Sequence, residues 1–206
     1  MKRTFFEQLK RIQALAEIGL EYSNSNYDKE RYDDIQEICL ELLEEITDVP
    51  VTKIRPVIHE KNGYKTPKVD VRAVVFNSEG RILLVQEKVD TFWALPGGWA
   101  DVGYTPRQIA VKECFEEAGL TVKSIRLLAV MDKTARQMPP EFEYVYKLFI
   151  LCEPIGDIIK TGEETMGVGW FKEHELPELS KPRNLESQIH LMFEYFRGEK
   201  QEVFLD

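Results

Sequence analysis

The chain has 206 residues, of which 43% are hydrophobic and 31% charged, and its formal net charge is −9 at pH 7. This length allows one well-buried domain with a small appendage, and the acidic balance disfavours broad binding to nucleic acid. No apolar run of about 18 residues and no cationic leader occur, so we expect neither a membrane span nor a secretory signal and predict a cytoplasmic location.

The first fifty residues carry two helical patterns. Apolar residues recur at spacings of three and four over residues 4–22 and again over 28–47, with a polar turn at 23–27 between them. A two-helix unit cannot bury both apolar stripes internally. We therefore predict a homodimer in which this hairpin supplies much of the interface. The alternative is that the hairpin covers the main domain of its own chain.

Residues 51–59 are predicted as a linking strand, followed by a polar break at 60–63. A domain boundary is placed there, so that residues 1–62 form a helical extension with its linking strand and residues 63–206 form the main domain. Further segments in the main domain are predicted as strands at 69–76, 81–86, 125–131, 143–152 and 167–171, and as a final helix at 184–197.

Residues 97–120 are the most informative stretch, because they read as a glycine loop that enters a well-marked helix. Thr105 can cap the helix with Gln108 three residues on, and Pro106 suits the first helical position. Gly119 suits the left-handed residue that follows the last turn. These signals predict a helix of roughly three turns over residues 106–118.

Three glutamates at spacings of three and four share one face of this helix: Glu113, Glu116 and Glu117. The opposite face is expected to pack through Val111, Cys114, Phe115 and Ala118. An acidic stripe is usually only a solvated surface. Here, however, the Leu95-Pro96-Gly97-Gly98 bend lets a backbone carbonyl, that of Gly97, approach the same point. Oxygen-only ligation suits a hard cation, so we predict a Mg²⁺ or Mn²⁺ site formed by Gly97 and the three glutamates.

The same segment resembles the Nudix box of the Nudix hydrolases. That motif runs Gly, five residues, Glu, seven residues, Arg-Glu, an aliphatic residue, any residue, Glu-Glu, any residue, Gly and a final aliphatic residue. The matching positions are Gly98, Glu113, Glu116, Glu117, Gly119 and Leu120. Two positions depart from it. Tyr104 replaces the first glutamate, which leaves Asp101 as an alternative ligand, and Lys112 replaces the arginine, which keeps the charge but loses the planar fork.

The resemblance implies an α/β/α sandwich with a mixed sheet, preceded by the helical hairpin. The extension is similar to that of the Nudix subgroup acting on X-linked nucleoside diphosphates, whose members include CDP-choline and ADP-ribose pyrophosphatases. It implies a metal-dependent enzyme that hydrolyses the pyrophosphate bond of a small nucleotide of this type.

The resemblance also implies roles for individual residues. The helix glutamates hold metal, with Glu116 either a ligand or a water-orienting group, and Lys112 keeps the glutamates in place. A general base is often supplied from a late loop of the domain, where the candidates are Glu163 and Glu164. We select Glu164.

Substrate contacts are expected from cations and an aromatic residue near strand ends: Arg72, Lys133, Tyr146 and Lys147. Taken singly, each cation is more often an ordinary surface residue. Tyr146 with Lys147 is the pair that the resemblance favours.

Two other function classes stay open. An RNA-directed hydrolase, either an exonuclease or a 5′-end pyrophosphohydrolase, would use the same metal site, but the acidic chain lacks a basic stripe. A noncatalytic Nudix-like ligand-binding regulator would explain Tyr104 and Lys112. The retention of three mutually repelling glutamates disfavours that second alternative.

Overall fold

The computed structural model describes residues 4–58, 66–101, 103–133, 143–156 and 158–206. The chain divides into two compact units. The first comprises Met1–Pro67 with Pro140–Tyr144, and the second comprises Lys68–Pro139 with Val145–Asp206. Within the described ranges, no helix combines the length and the apolarity needed to cross a bilayer.

The first unit contains the predicted helical hairpin, as α1 (Phe5–Tyr22) and α2 (Asn26–Thr47). Thr4 and Glu7 form a capping box at the start of α1. The two helices approach closely at Gly19, where a Cβ atom would lie 2.5 Å from the Tyr32 ring. Any larger residue at position 19 would require the Tyr32 ring to move.

The predicted linking strand is wrong where the structure describes it. Val51–Ile58 is a helix, α3, and residue 59 lies outside the described residues. Ile54 and Ile58 are four residues apart, so they share one helix face, and both are buried in the apolar cluster of this unit. Pro56 argues against a helix in sequence, but in so short an element its missing N–H removes at most one helical hydrogen bond, and burial of the two isoleucines prevails.

The second unit holds eight strands and two helices among its described residues. The strands are β1 (Lys68–Val75), β2 (Ile82–Glu87), β3 (Trp93–Ala94), β4 (Gly97–Trp99), β5 (Val122–Asp132), β6 (Val145–Pro154), β7 (Thr165–Phe171) and β8 (Phe204–Leu205). The helices are α4 (Pro106–Ala118) and α5 (Glu186–Phe196). Every predicted strand of this domain and both of its helices are present, with ends shifted by at most three residues.

The strands form two sheets. The larger has the order β4-β1-β6-β5-β8, with β1 parallel to β6, β5 parallel to β8 and the other pairs antiparallel. The smaller sheet, β3-β2-β7, is antiparallel. One apolar cluster joins β1 to the buried side of α4 through Val71, Ala73, Val75, Ile109, Ala110 and Cys114. A second joins the other side of β1 and β6 to α5 through Val74, Phe149, Ile189, Met192 and Phe193. Helices therefore cover both faces, which confirms the predicted α/β/α sandwich with a mixed sheet.

The glycine segment before α4 is a strand rather than only a bend. β4 pairs antiparallel with β1, in the register that places Gly97 opposite Arg72 and Gly98 opposite Val71. Gly97 has φ +150°, and a Cβ atom there would lie 2.0 Å from the Val71 carbonyl oxygen. Only glycine fits this approach. Glycine also has low strand propensity, which is why this short edge strand is not predicted from sequence.

Candidate active site

The ends of α4 are formed as the sequence predicts. The Gln108 backbone N–H donates to Thr105 Oγ1 at 3.3 Å, and the Thr105 N–H donates to Gln108 Oε1 at 2.9 Å. Pro106 occupies the first turn, and Gly119 adopts a left-handed conformation with φ 62°. Both ends of the helix are therefore fixed, and with them the positions of the glutamates between.

The three glutamates differ in their surroundings. Glu117 lies at the centre of the buried face and is only 6% exposed, while the side chain of Glu113 is 13% exposed and that of Glu116 is 53% exposed. The expectation that Phe115 packs inward is wrong, because it is 61% exposed. At about 100° per residue, Phe115 projects about 160° away from Glu117, so burial of one side exposes the other.

Glu117 is tied to both the edge strand and a later loop. Its Oε2 accepts the Gly97 backbone N–H at 2.9 Å. Its carbonyl oxygen accepts hydrogen bonds from Thr165 Oγ1 at 2.7 Å and from the Gly162 N–H at 3.2 Å. A Cβ atom at Gly162 would lie 1.7 Å from the Glu116 carbonyl oxygen, so the loop approaches the helix end as closely as a glycine permits.

The register of β4 indicates where the Gly97 carbonyl points. Ala73 N–H donates to the Pro96 carbonyl and Ala100 N–H donates to the Val69 carbonyl. In an antiparallel ladder these pairs alternate with pairs whose backbone groups point away from the partner strand. Gly97 occupies such an outward position, as its bond to Glu117 requires. The Gly97 carbonyl therefore points away from β1, on the same side of β4 as the Gly97 N–H.

Glu113 lies against the same strand. A Cβ atom built on Gly98 would meet the Glu113 carboxylate at 3.5 Å, so Glu113 lies close to β4, while Glu117 is hydrogen-bonded to its backbone. Burial raises the pKa of Glu117 to about 8, despite the Gly97 hydrogen bond and the Arg72 charge, which lower it. Burial also raises the pKa of Glu113, and the charge of Glu116 adds to the effect.

Lys112 lies among acidic side chains on the outer side of α4. Its Nζ is 3.0 Å from Glu116 Oε2, 3.6 Å from Glu113 Oε1 and 3.9 Å from Asp101 Oδ2. Tyr104 is 51% exposed, and its backbone N–H donates to the Asp101 carbonyl at 3.2 Å. The side chain at position 104 is thus turned largely to solvent.

The carboxylates of α4 fit a divalent cation in charge and in chemistry. Across the described residues, no three Asp, Glu, His or Cys side chains converge closely enough to form a metal site as they stand, and Glu116 lies 3.0 Å from Lys112 Nζ. Glu113 and Glu117, however, place two desolvated carboxylates of raised pKa beside an outward backbone carbonyl. A bound cation would relieve that desolvation, and oxygen ligands are those that a hard cation prefers.

The predicted substrate residues fall into two groups. Arg72, Lys133 and Lys147 are buried, at 5%, 8% and 0% exposure, whereas Tyr146 is 44% exposed. Tyr146 and Lys147 are neighbours on β6 and therefore point to opposite faces of the sheet. The favoured pair thus does not share one surface.

Two buried carboxylates near this region were not selected from sequence. Asp70 accepts hydrogen bonds from both Arg72 and Lys147, and Glu87 pairs with Arg183 at 2.9 Å. Asp70 had a usable signal, because its spacing of two from Arg72 in a predicted strand places opposite charges on one face. Glu87 carried no such signal. The general-base candidate Glu164 lies in the loop beside Glu117, where its carbonyl accepts the Lys88 N–H at 3.1 Å.

Two family models match the chain. The NUDIX domain matches residues 66–193, and a model described as the UDP-X-like, N-terminal oligomerisation domain matches residues 3–58. A Bacillus subtilis (strain 168) protein named "Putative ADP-ribose pyrophosphatase YjhB" is 38% identical over 202 residues, which cover 98% of this chain and 97% of that protein.

Solved structures agree in fold. A UDP-X diphosphatase structure is 32% identical, covers 98% of both chains and has a TM-score of 0.64. An ADP-ribose pyrophosphatase structure from Streptococcus suis 89-1591 is 41% identical over 68% of this chain and 100% of that one, with a TM-score of 0.61. The NUDIX match spans more than half of the chain, and the box glutamates stand on a capped helix against a glycine strand. The chain belongs to the Nudix hydrolase family.

Proposed function

We propose that this enzyme hydrolyses the pyrophosphate bond of a nucleoside diphosphate linked to another moiety, of the CDP-choline or ADP-ribose type. The observation that carries the proposal is the pair of desolvated carboxylates, Glu113 and Glu117, against the β4 backbone. The names of two relatives that match nearly the whole chain, an ADP-ribose pyrophosphatase and a UDP-X diphosphatase, support this substrate class.

Mg²⁺ or Mn²⁺ would be held by Glu113, Glu117, Glu116 and the Gly97 carbonyl. When bound, such an ion neutralises charge on phosphoryl oxygens and makes a bound water a better nucleophile. Glu116 would reach this position by leaving Lys112, to which it is held by a single, largely solvated ion pair. Such ion pairs are weak, so little would oppose this movement.

Lys112 is proposed to orient the carboxylates of α4. Its ammonium lies within 4 Å of three acidic side chains, so it can balance their repulsion before metal binds. Glu164 is the proposed general base. The supporting geometry is the loop that carries it, which is bonded to the Glu117 carbonyl through Gly162 and Thr165.

Tyr146 is the proposed contact for the nucleobase, because its ring is partly exposed and can stack. Lys133 is proposed as a phosphate contact at the end of β5. Arg72 is proposed to supply positive charge from inside the sheet, and Lys147 does so only below its pKa, which burial lowers to about 7.

A homodimer formed through the helical extension is part of the proposal. The matched N-terminal model is described as an oligomerisation domain, and α1 and α2 carry exposed apolar side chains, among them Phe5, Ile12, Leu15, Ile38 and Ile46. The variant Ile12→Lys/Ile38→Lys should run as a monomer in light scattering with unchanged helix content. An unchanged dimer would place the interface elsewhere. The cysteines Cys39, Cys114 and Cys152 are all unpaired and buried, which fits a reducing compartment, and we place the enzyme in the cytoplasm.

A substrate screen tests the proposal. ADP-ribose, CDP-choline, UDP-linked sugars and a 5′-triphosphorylated RNA are incubated with Mg²⁺ or Mn²⁺, and products are identified. We expect cleavage of at least one nucleoside diphosphate derivative that is lost on chelation. Preference for the RNA would support the end-processing alternative, and binding without cleavage would support a regulatory module. Glu194→Gln, on the surface of α5, is the control variant and should match the wild type.

A further inference from the structure

Asp70, Arg72 and Lys147 form a buried charged cluster on β1 and β6. Arg72 Nε donates to Asp70 Oδ1 at 2.8 Å and Nη2 donates to Oδ2 at 3.2 Å, while Lys147 Nζ donates to Oδ2. Burial alone would raise the pKa of Asp70, but the two cations outweigh it and hold that pKa below its ordinary value. Buried ion clusters give little net stability over apolar residues of similar volume, so the contribution of this one must be sought in the geometry it fixes.

The third nitrogen of the guanidinium reaches the loop that leads into β4. Arg72 Nη1 donates to the Leu95 carbonyl at 3.1 Å. The Leu95 N–H donates to Asn184 Oδ1 at 2.9 Å, so this residue is held from both sides. Arg72 uses its planar fork in two directions at once, toward a carboxylate and toward a carbonyl, which a lysine could not reproduce.

The fixed segment ends at the carboxylates of α4. The Pro96 carbonyl accepts the Ala73 N–H at 2.8 Å, and the Gly97 N–H donates to Glu117 Oε2 at 2.9 Å. Each residue from Leu95 to Gly97 is thus held by a hydrogen bond, Leu95 and Pro96 to β1 and Gly97 to α4. A shift at Leu95 would be transmitted over two peptide units to the atom that orients Glu117.

We propose that Asp70 is a positioning residue, which holds the Arg72 fork so that residues 95–97 keep the Gly97 backbone in place against Glu117. The inference rests on the proposed metal site. Asp70 does not itself contact the substrate. Its effect on a bound metal would act through Glu117 Oε2, which Gly97 orients, and through the Gly97 carbonyl, since residues behind the ligands commonly tune metal binding.

Lys147 has a separate part in this arrangement. Its side chain is 0% exposed and its ammonium is bonded to Asp70, so it does not face a substrate directly. Burial lowers the pKa of Lys147 to about 7, although the charge of Asp70 opposes this shift. Below that pH the cluster therefore holds one negative charge, on Asp70, and two positive charges, on Arg72 and Lys147. Removing Asp70 and Lys147 together would leave the net charge of the cluster unchanged while removing the support of the Arg72 fork. Charge balance and positioning can therefore be separated.

Mn²⁺ affinity, measured by calorimetry without nucleotide, tests the inference in the full chain. For Asp70→Asn we expect binding to weaken by about tenfold or more, with KM for the substrate within about twofold of wild type and kcat reduced. Asp70→Asn/Lys147→Met restores the charge count, so its Tm should return toward that of wild type while Mn²⁺ affinity stays low. Glu173→Gln, which removes a surface partner of Arg197, is the matched control and should leave Mn²⁺ affinity unchanged.

Recovery of Mn²⁺ affinity together with Tm in the double variant would overturn the inference, since Asp70 would then act only by neutralising Lys147. Wild-type affinity in Asp70→Asn would overturn it as well, while leaving the proposed hydrolysis standing. If wild type binds Mn²⁺ but cleaves no nucleotide, the proposed function fails and the positioning role is still decided by the binding series.

Discussion

Replacing Glu117 with Gln should have two opposite effects, on catalysis and on stability. Turnover should fall by about 100-fold or more, because an amide neither carries the charge nor binds a hard cation comparably. The fold should persist, since the amide oxygen of the variant side chain can still accept the Gly97 N–H that Glu117 Oε2 accepts in the wild type. The same change should make the metal-free protein more stable at alkaline pH.

The sign and size of that stabilisation follow from the pKa of Glu117, which burial raises from its ordinary 4.5 to about 8. Between these values the folded state keeps a proton that the unfolded state releases, so wild-type stability falls as pH rises through this window and levels off above it. At about 1.4 kcal/mol per pKa unit, Glu117 lowers the free energy of unfolding by about 1 kcal/mol at pH 5 and by at most about 4 kcal/mol at pH 8. Glu117→Gln removes this loss.

Chemical denaturation of the metal-free proteins at pH 5 and pH 8, with chelator present, measures the difference. The variant should gain little at pH 5 and clearly more at pH 8, and saturating Mg²⁺ should narrow the gap by stabilising only the wild type. Glu194→Gln, a change at a partly exposed position of α5, should show no pH-dependent gain. A Glu117→Gln variant no more stable than wild type at pH 8 would refute the reasoning, and near-normal turnover at saturating Mg²⁺ would remove Glu117 from the ligands.

Three further predictions concern the departures from the Nudix box and the loop beside the helix. Tyr104→Glu should change Mn²⁺ affinity much less than Glu117→Gln does, because position 104 is largely exposed; an inactive wild type that Tyr104→Glu rescues would indicate a degenerate binding module instead. Lys112→Arg should keep steady-state turnover within about twofold or raise it, since a fork orients carboxylates better than an ammonium, and a loss beyond about tenfold would contradict an orienting role. Gly162→Ala should lower Tm by about 4 °C or more, because its Cβ would lie 1.7 Å from the Glu116 carbonyl oxygen; an unchanged melting curve would show that the loop yields.

The parts of the fold that sequence predicts are those fixed by local rules. The caps of α4, Thr105 and Gly119, depend on residues within one turn, and the strands of the second unit alternate or run apolar over their length. α3 is missed because Pro56 and the β-branched residues around it indicate an extended segment, whereas packing of Ile54 and Ile58 decides the outcome.

The site is predicted in its composition but not in its burial. Spacing places Glu113, Glu116 and Glu117 near one another, yet it cannot show which of them is desolvated, because that depends on how α4 rotates against the sheet. The link from Asp70 through Arg72 to Leu95 joins residues up to 25 positions apart. The pairing of β4 with β1 brings these residues together, and sequence spacing alone does not reveal it.

The most direct test of the central claim is the fate of labelled oxygen. A nucleoside diphosphate derivative identified by the screen is cleaved in H₂¹⁸O with Mn²⁺, and the masses of the products are measured by mass spectrometry. Hydrolysis of the pyrophosphate bond predicts two monophosphates, a nucleoside monophosphate and the phosphorylated second moiety, with one ¹⁸O atom in one of them. No product should form after chelation, and Glu117→Gln should form it at least about 100-fold more slowly. Release of inorganic phosphate, cleavage that survives chelation, or no labelled product from any such nucleotide would contradict the account.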